Sequence, residues 1–213
     1  MSEIAYRPAT IEDAPILAKL SIIASGGTFD LLLKGMKRGV SVEQVMTTLC
    51  ESENTEYSYH NFLVAEVDGK VAGAVNALSV QARYDLAPNI NPLLQAKFNF
   101  GIVQLIKFYF RARHLKGMNE LKVPSRNSLH VNDIAVFPEY SGKGIGKGLM
   151  LQVLERAKAE NFEYVSLYVW ADNIHAIEFY KHLGFTIEKT ASVRPHVYLP
   201  HISSHLMLTN MQK

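Results

Sequence analysis

The stretch from Pro138 to Met150, PEYSGKGIGKGLM, holds four glycines at alternate positions. They are Gly142, Gly144, Gly146 and Gly148, with Lys143, Ile145 and Lys147 between them. A helical pattern follows at once, because Ile145, Leu149, Val153 and Ala157 recur at spacing four. Glycine costs a helix about 1 kcal/mol per residue relative to alanine, so crowding it into a helix start needs a reason. A strand, a glycine-rich turn and a helix together make an anion site. The first N–H groups of a helix lack intrahelical acceptors, the dipole adds partial positive charge, and missing side chains let an oxyanion approach the backbone. With two lysines added, the stretch suits a pyrophosphate.

Three familiar phosphate loops fail on spacing. A Walker A loop requires Gly at position 141 and Ser or Thr at 148, where this chain has Ser141 and Gly148. A dinucleotide fingerprint opening at Gly142 requires Gly at 147, which is lysine; one opening at Gly144 requires Gly at 149, which is leucine. The kinase glycine loop fails on the same spacing and lacks its partner motifs.

What remains is G-x-G-x-G after a strand that ends Ile134-Ala135-Val136-Phe137-Pro138. Together with Ser141-Gly142-Lys143-Gly144-Ile145-Gly146, this resembles the acetyl-CoA loop of the GNAT N-acetyltransferase superfamily. A second block supports the resemblance: Asn173, Ala176, Phe179-Tyr180 and Gly184-Phe185 fit that family's N-x-x-A-x-x-(hydrophobic)-Y-x-x-x-G-F. The resemblance runs from about Leu129 to Phe185. It departs at Ser141, where the family usually has Arg or Gln. It departs again between Arg83 and Ser128, where a short turn is usual.

The resemblance implies an enzyme that moves acetyl from acetyl-CoA to a primary amine, on a small molecule or a peptide, by direct transfer in a ternary complex. A non-catalytic acyl-CoA-binding module and an enzyme using a longer acyl chain are the alternatives on the same fold. It implies that Ile134, Ala135 and Val136 meet the pantetheine arm through the main chain, and that residues 141–147 meet the pyrophosphate. Asn173 caps a helix and, by resemblance, binds the same arm; Tyr180 is the general acid. A phenol is protonated at neutral pH and so can donate to a departing thiolate. For the base, His130 is preferred, since histidine suits proton transfer near neutrality. Strict alternation puts His130, Asn132 and Ile134 on one face and Asp133 on the other. A water chain is the alternative base. Glu51, Glu53 and Glu56 lie in a region that borders the acceptor site in relatives.

Other reactive residues offer less. Cys50 is the only cysteine, in a helical pattern with no histidine partner, and reads as a small apolar filler. His196, His201 and His205 fit no zinc spacing, so no metal is expected. A net charge of +2 over 213 residues argues against nucleic acid as a partner. The start MSEIAYRPATIEDAP lacks the pattern of a signal peptide, and cytoplasmic residence is the default expectation.

The elements that must carry these residues follow from periodicity and punctuation. IAYRPAT reads as a strand. Thr10 caps a helix beginning IEDAPILAKLS, and TFDLLLKGMKRG is a second short helix. Ser41 and Gln44 form a capping box for VEQVMTTLCE. FLVAEV and KVAGAVNALSV flank Asp68-Gly69 as a hairpin. SLHVNDIAVF, YVSLYVW, FTIEKTA and SHLMLTNM are strands, and NIHAIEFYKHL is a helix that Gly184 stops. The sum is one mixed α+β domain over residues 1–213. Its sheet is mixed with helices on its faces; the resemblance implies the GNAT fold, in which that sheet is largely antiparallel.

Residues 83–128 form a helical insertion, with one helix from Pro92 to about His114. It has no acidic residue from Leu86 to Asn119, but it has Lys97, Lys107, Arg111, Arg113 and Lys116. Packing on its own domain is the plain expectation. A membrane contact through 92–116, a cover for the substrate site and a homodimer contact are the alternatives.

Overall fold

The computed structural model describes residues 4–212. Strand β1 (Ile4–Pro8) lies antiparallel to β2 (Phe62–Val67), which turns into β3 (Lys70–Ser79). Asp68 and Gly69 close this hairpin at φ of 51° and 73°. A two-residue turn with both positions left-handed matches the twist of the flanking strands, and Asp-Gly adopts it readily. β3 pairs antiparallel with β4 (Ser128–Val136). β4 pairs parallel with β5 (Tyr164–Trp170). β6 (Thr186–Ser192) closes the far edge by pairing with β7 (Ser203–Asn210), which also pairs with β5. The seven strands run in the order β1-β2-β3-β4-β5-β7-β6, and only the β4–β5 ladder is parallel. The expected mixed, largely antiparallel sheet is the one found.

Helices cover both faces. α1 (Ala14–Ala24), α2 (Thr28–Leu33) and α3 (Val42–Glu51) cover one, burying Leu17, Met46 and Leu49 with Val64 and Ala74 of the sheet. α4 (Val80–Leu86), α5 (Ile90–Phe98) and α6 (Ile102–Ala112) follow β3, and α5 adds Leu94 to that core. α7 (Ile145–Ala159) and α8 (Ile174–His182) cover the other face, burying Leu149, Met150, Val153 and Ile177 on Val75, Val131 and Leu167. Each such side chain contributes about 1.5–3 kcal/mol of transfer free energy, so both layers are fixed by apolar stripes legible in the sequence.

Caps set the boundaries. Ser41 Oγ accepts from the Gln44 N–H at 3.0 Å, and Gln44 Oε1 accepts from the Ser41 N–H at 2.8 Å, completing the expected box. Thr10 precedes one 3-10 turn, Ile11–Asp13, rather than α1 itself, because Pro15 favours α1's first turn. α2 stops at Leu33 rather than near Gly39: Lys34 is extended, and Gly35 and Gly39 hold positive φ. The single helix expected from Pro92 to His114 is two. Asn99 takes a left-handed φ of 51° and ends α5, and Gly101 is extended before α6, so the axis breaks between them.

Candidate active site

β4 and β5 pair only from Ser128 to Val131 against Tyr164 to Leu167. Beyond that point β4 stays with β3, through Asp133↔Asn76 to Val136↔Gly73. β5 stays with β7, through Tyr168↔Leu206 to Trp170↔Ser204. The two central strands therefore part, leaving the main chain of each without its neighbour. A cavity of about 930 Å³ occupies this split. Its walls include Asn132 to Val136, Tyr168 to Trp170, and Asn173, Ala176 and Tyr180 of the α8 region. Glu56, Tyr57, Arg83, Phe108 and Ala112 complete one side.

A bulge in β4 decides which residues share each face of the strand beside the cavity. Asn76 pairs with Asp133, yet Ala77 pairs with Val131, so Asn132 is an extra residue. Leu129, Val131, Ile134 and Val136 share the face that packs towards α7 and α8. Ala135 joins the core on the opposite face. The expected alternation, which set His130 with Ile134 and apart from Asp133, is thereby corrected. The extra residue restarts the two-residue period, so His130 and Asp133 fall on the face opposite Ile134.

His130 is 1 % exposed and does not border the cavity. Its Nδ1 lies 2.8 Å from Ser166 Oγ on β5. Burial, with the Arg83 charge adding, holds its ring well below the usual imidazole range, so the ring is neutral. Asp133 borders the cavity. Burial, reinforced by the Glu56 charge and opposed by Ser21 and Arg83, pushes its carboxyl up to about 7. Arg83 Nε donates to Glu56 Oε2 at 3.0 Å, fixing an ion pair beside it. Glu51 and Glu53 are exposed and lie outside the cavity wall.

Tyr180 is buried in the α8 layer and borders the same cavity. Burial, and then the Asp133 charge, pushes its phenol up, so it stays protonated throughout the neutral range. Asn173 caps α8: its Oδ1 accepts the Ala176 N–H at 3.2 Å. Sequence reasoning gave no role to Asn132. Both its amide atoms are buried without a partner, and it borders the cavity. An unpaired buried amide costs about 1–3 kcal/mol, which a polar ligand group recovers. No periodicity signals such a residue, because it exists as a cavity residue only through the bulge.

The glycine loop adjoins the cavity without lining it. Gly142 and Gly144 hold φ of 75° and 79°, and a Cβ on either would meet nothing within 4 Å. The loop is thus left-handed twice over and open on its outer side. Gly144 precedes α7 with no side-chain cap, so the N–H groups of Ile145, Gly146 and Lys147 have no intrahelical acceptor. A Cβ on Gly146 would lie 3.8 Å from Val136 Cγ2, which ties this turn to the end of the cavity strand. Lys143 and Lys147 are exposed, and Ser141 is exposed beside them. Gly148 has a different cause: a Cβ there would overlap the Tyr6 hydroxyl. Two glycines set the backbone, one faces the strand end, and one admits a packing neighbour.

The model of the Acetyltransferase (GNAT) family matches residues 39–185. The chain belongs to the GNAT acetyltransferase family. The family generally uses acetyl-CoA and acts on small-molecule or peptide amines. Among curated relatives, an uncharacterized N-acetyltransferase of Methanocaldococcus jannaschii is 40 % identical over 63 residues, covering 30 % of this chain and 28 % of its own. A mycothiol acetyltransferase of Actinosynnema mirum is 34 % identical over 86 residues, covering 40 % of this chain and 26 % of its own. The matches thus span little more than a quarter of these relatives. Among solved structures, an acetyltransferase superposes with a TM-score of 0.70 at 20 % identity, covering 97 % of this chain and 99 % of that one. An N-acetyltransferase from Staphylococcus aureus Mu50 gives 0.67 at 22 % identity, covering 96 % and 100 %. The fold shared with these structures therefore spans 96–97 % of this chain.

Cys50, His196, His201 and His205 lie outside the wall of this cavity. Cys50 is fully buried, and burial pushes its thiol up. His201 Nδ1 lies 2.8 Å from the Asp172 carboxylate, and its ring stacks on Trp170. His205 lies against Thr190. Among the described residues no group of three or more His, Cys, Asp and Glu is arranged to hold a metal. None of their helices is long and apolar enough to cross a membrane.

Proposed function

We propose that this protein transfers acetyl from acetyl-CoA directly to a primary amine, with Asp133 as general base and Tyr180 as general acid. The observation that carries this reading is that both residues border one cavity at the β4–β5 split, at the end of which the uncapped turn of α7 begins. The open, left-handed loop at Gly142–Gly144 and the free N–H groups of Ile145, Gly146 and Lys147 fit the donor's pyrophosphate, with Lys143 and Lys147 adding charge. The exposed main chain of Ile134, Ala135 and Val136 fits an extended pantetheine arm, and Asn173 closes that groove. The short side chain of Ser141 leaves this phosphate binding to the backbone and the two lysines.

When bound, acetyl-CoA supplies an activated acyl thioester. The chain's residues do the rest. Asp133, with a carboxyl near 7, takes the proton from the acceptor's ammonium and frees the amine. Backbone N–H groups left open where β4 parts from β5 are the donors that would stabilise charge developing on the acyl oxygen. The freed amine forms the C–N bond to the acyl carbon as the C–S bond breaks; Tyr180 gives its phenolic proton to the departing sulfur, and the second proton shed by nitrogen as the amide forms restores the phenol. Holding acceptor and acyl group in one pocket converts the encounter into a near-unimolecular step. His130 has no part in this scheme, because its enclosed neutral ring reaches no ligand. Because Arg83 already neutralises Glu56, Asp133 is the carboxyl left to meet a cationic acceptor.

The test is turnover. Purified protein with acetyl-CoA and a broad amine panel is expected to release free thiol in proportion to acetylated amine. Tight acetyl-CoA binding with no thiol release on any amine would instead mark a binding module. Faster release with longer acyl-CoA donors would shift the acyl chain assigned.

A further inference from the structure

We propose that the outer face of α6 docks on an anionic lipid bilayer. None of the eleven residues of α6 is buried. Its side chains fall into three sectors at 100° per residue. Phe108 and Ala112 turn inward and border the cavity. Ile102, Val103, Leu105, Ile106, Tyr109 and Phe110 cover the outer sector, an apolar arc of roughly 160°. They are exposed, Ile102 by 69 %, Tyr109 by 66 % and Phe110 by 58 %. The third sector is basic, with Lys107 exposed and Arg111 donating to the Lys34 carbonyl at 2.7 Å.

Six large apolar side chains on one exposed helix exceed the scattered singles normal for a soluble surface. Charge decides what covers them. From Leu86 to Asn119 the chain has five Lys and Arg and no acidic residue, and Asp30 of α2, the helix packed beside α6, is already paired with Lys34 at 3.6 Å, so the excess charge around the patch is basic. A two-fold contact with a second copy would set this patch against itself and bring like charges together. An anionic headgroup layer complements the basic flank while its acyl boundary takes the apolar arc. Tyr109 and Phe110 supply the aromatic contacts favoured at that depth. Docking in this pose would bring the cavity to within about one helix diameter, ~10 Å, of the lipid surface. The inference stands on the surface alone and does not depend on the acetyl-transfer scheme.

The experiment is co-sedimentation of the full chain with phosphatidylcholine vesicles and with phosphatidylcholine containing about one-third phosphatidylglycerol. Binding to the anionic vesicles is expected to exceed binding to the neutral ones by at least ~10-fold and to weaken with added salt. The pair Ile106→Ser with Phe110→Ser, and separately Lys107→Glu with Arg113→Glu, should each cut it by about 10-fold with an unchanged melting temperature. Both pairs change exposed side chains, so the charge pair keeps the test decisive if the apolar pair alters folding. Equal or absent binding to the two vesicle types overturns the proposal. So does a dimer in light scattering that the apolar pair converts to monomer, which would assign the face to self-association.

Discussion

Val131 and Leu167 are the last paired residues of the parallel β4–β5 ladder. One residue beyond Val131 comes the bulge at Asn132, and from there the strands part. The bulge and the split act together. The split opens a cavity beside exposed main chain, and the bulge places Asp133 on the same strand face as His130 while Asn132 to Val136 all border the cavity. An unbroken two-residue period would set Asp133 and His130 on opposite faces.

Asp133→Asn tests that assignment through pH. In the parent, kcat/KM for the amine should rise about tenfold per pH unit below 7 and level off above it, as the carboxyl ionises. The asparagine variant should lose about 100-fold in kcat and lose this acidic limb. Thiol release followed across the neutral range reads both. An unchanged limb in the variant assigns the base elsewhere.

Tyr180→Phe keeps the ring that packs in the α8 layer and removes only the phenolic hydroxyl. The expected result is a fall in kcat of about 100-fold, with the KM for acetyl-CoA within roughly threefold of the parent. Wild-type turnover in the variant would remove the acid role.

Neighbouring glycines of α7 should respond with opposite signs. Gly146→Ala places a Cβ at ordinary contact distance from Val136. It should stabilise the helix by up to about 1 kcal/mol while raising the KM for acetyl-CoA. Gly148→Ala meets the Tyr6 hydroxyl and should lower the melting temperature. Thermal unfolding of the two variants side by side tells packing from ligand approach.

His130 and Asp133 are linked to stability with opposite pH dependence. The His130 ring stays neutral in the fold but takes a proton below about 6.5 when unfolded, so stability is lost as pH falls through that value. Asp133 stays protonated in the fold up to about 7 but ionises above about 4 when unfolded, so stability is lost as pH rises between those values. Each slope reaches at most about 1.4 kcal/mol per pH unit, and in the parent they offset each other between roughly pH 5 and 6.5. Asp133→Asn should leave stability rising with pH across this window, and His130→Asn should leave it falling. Urea midpoints at the two ends of the window measure the slopes. Identical slopes in both variants contradict these protonation states.

The order of strands and helices was legible in the chain itself. Apolar periods of two and about four, the Asp68-Gly69 turn, the Ser41–Gln44 box and the Asn173 cap are local features, and local energetics carry them into the fold unchanged. The glycine loop was legible too, because only glycine sustains φ of 75° and 79° without strain. Three things were decided elsewhere. A helix expected as one piece broke at Asn99–Gly101, where the chain turns to lay α5 on the core and leave α6 outside. The parting of β4 from β5 depends on which strands each continues to pair with, and no short stretch of sequence encodes that choice. The bulge at Asn132 moved His130 to the face opposite Ile134 and put Asp133 on that same face, since a one-residue shift in a two-residue period exchanges faces. Residue types named the chemistry from the sequence, and long-range pairing chose which of them meet the cavity.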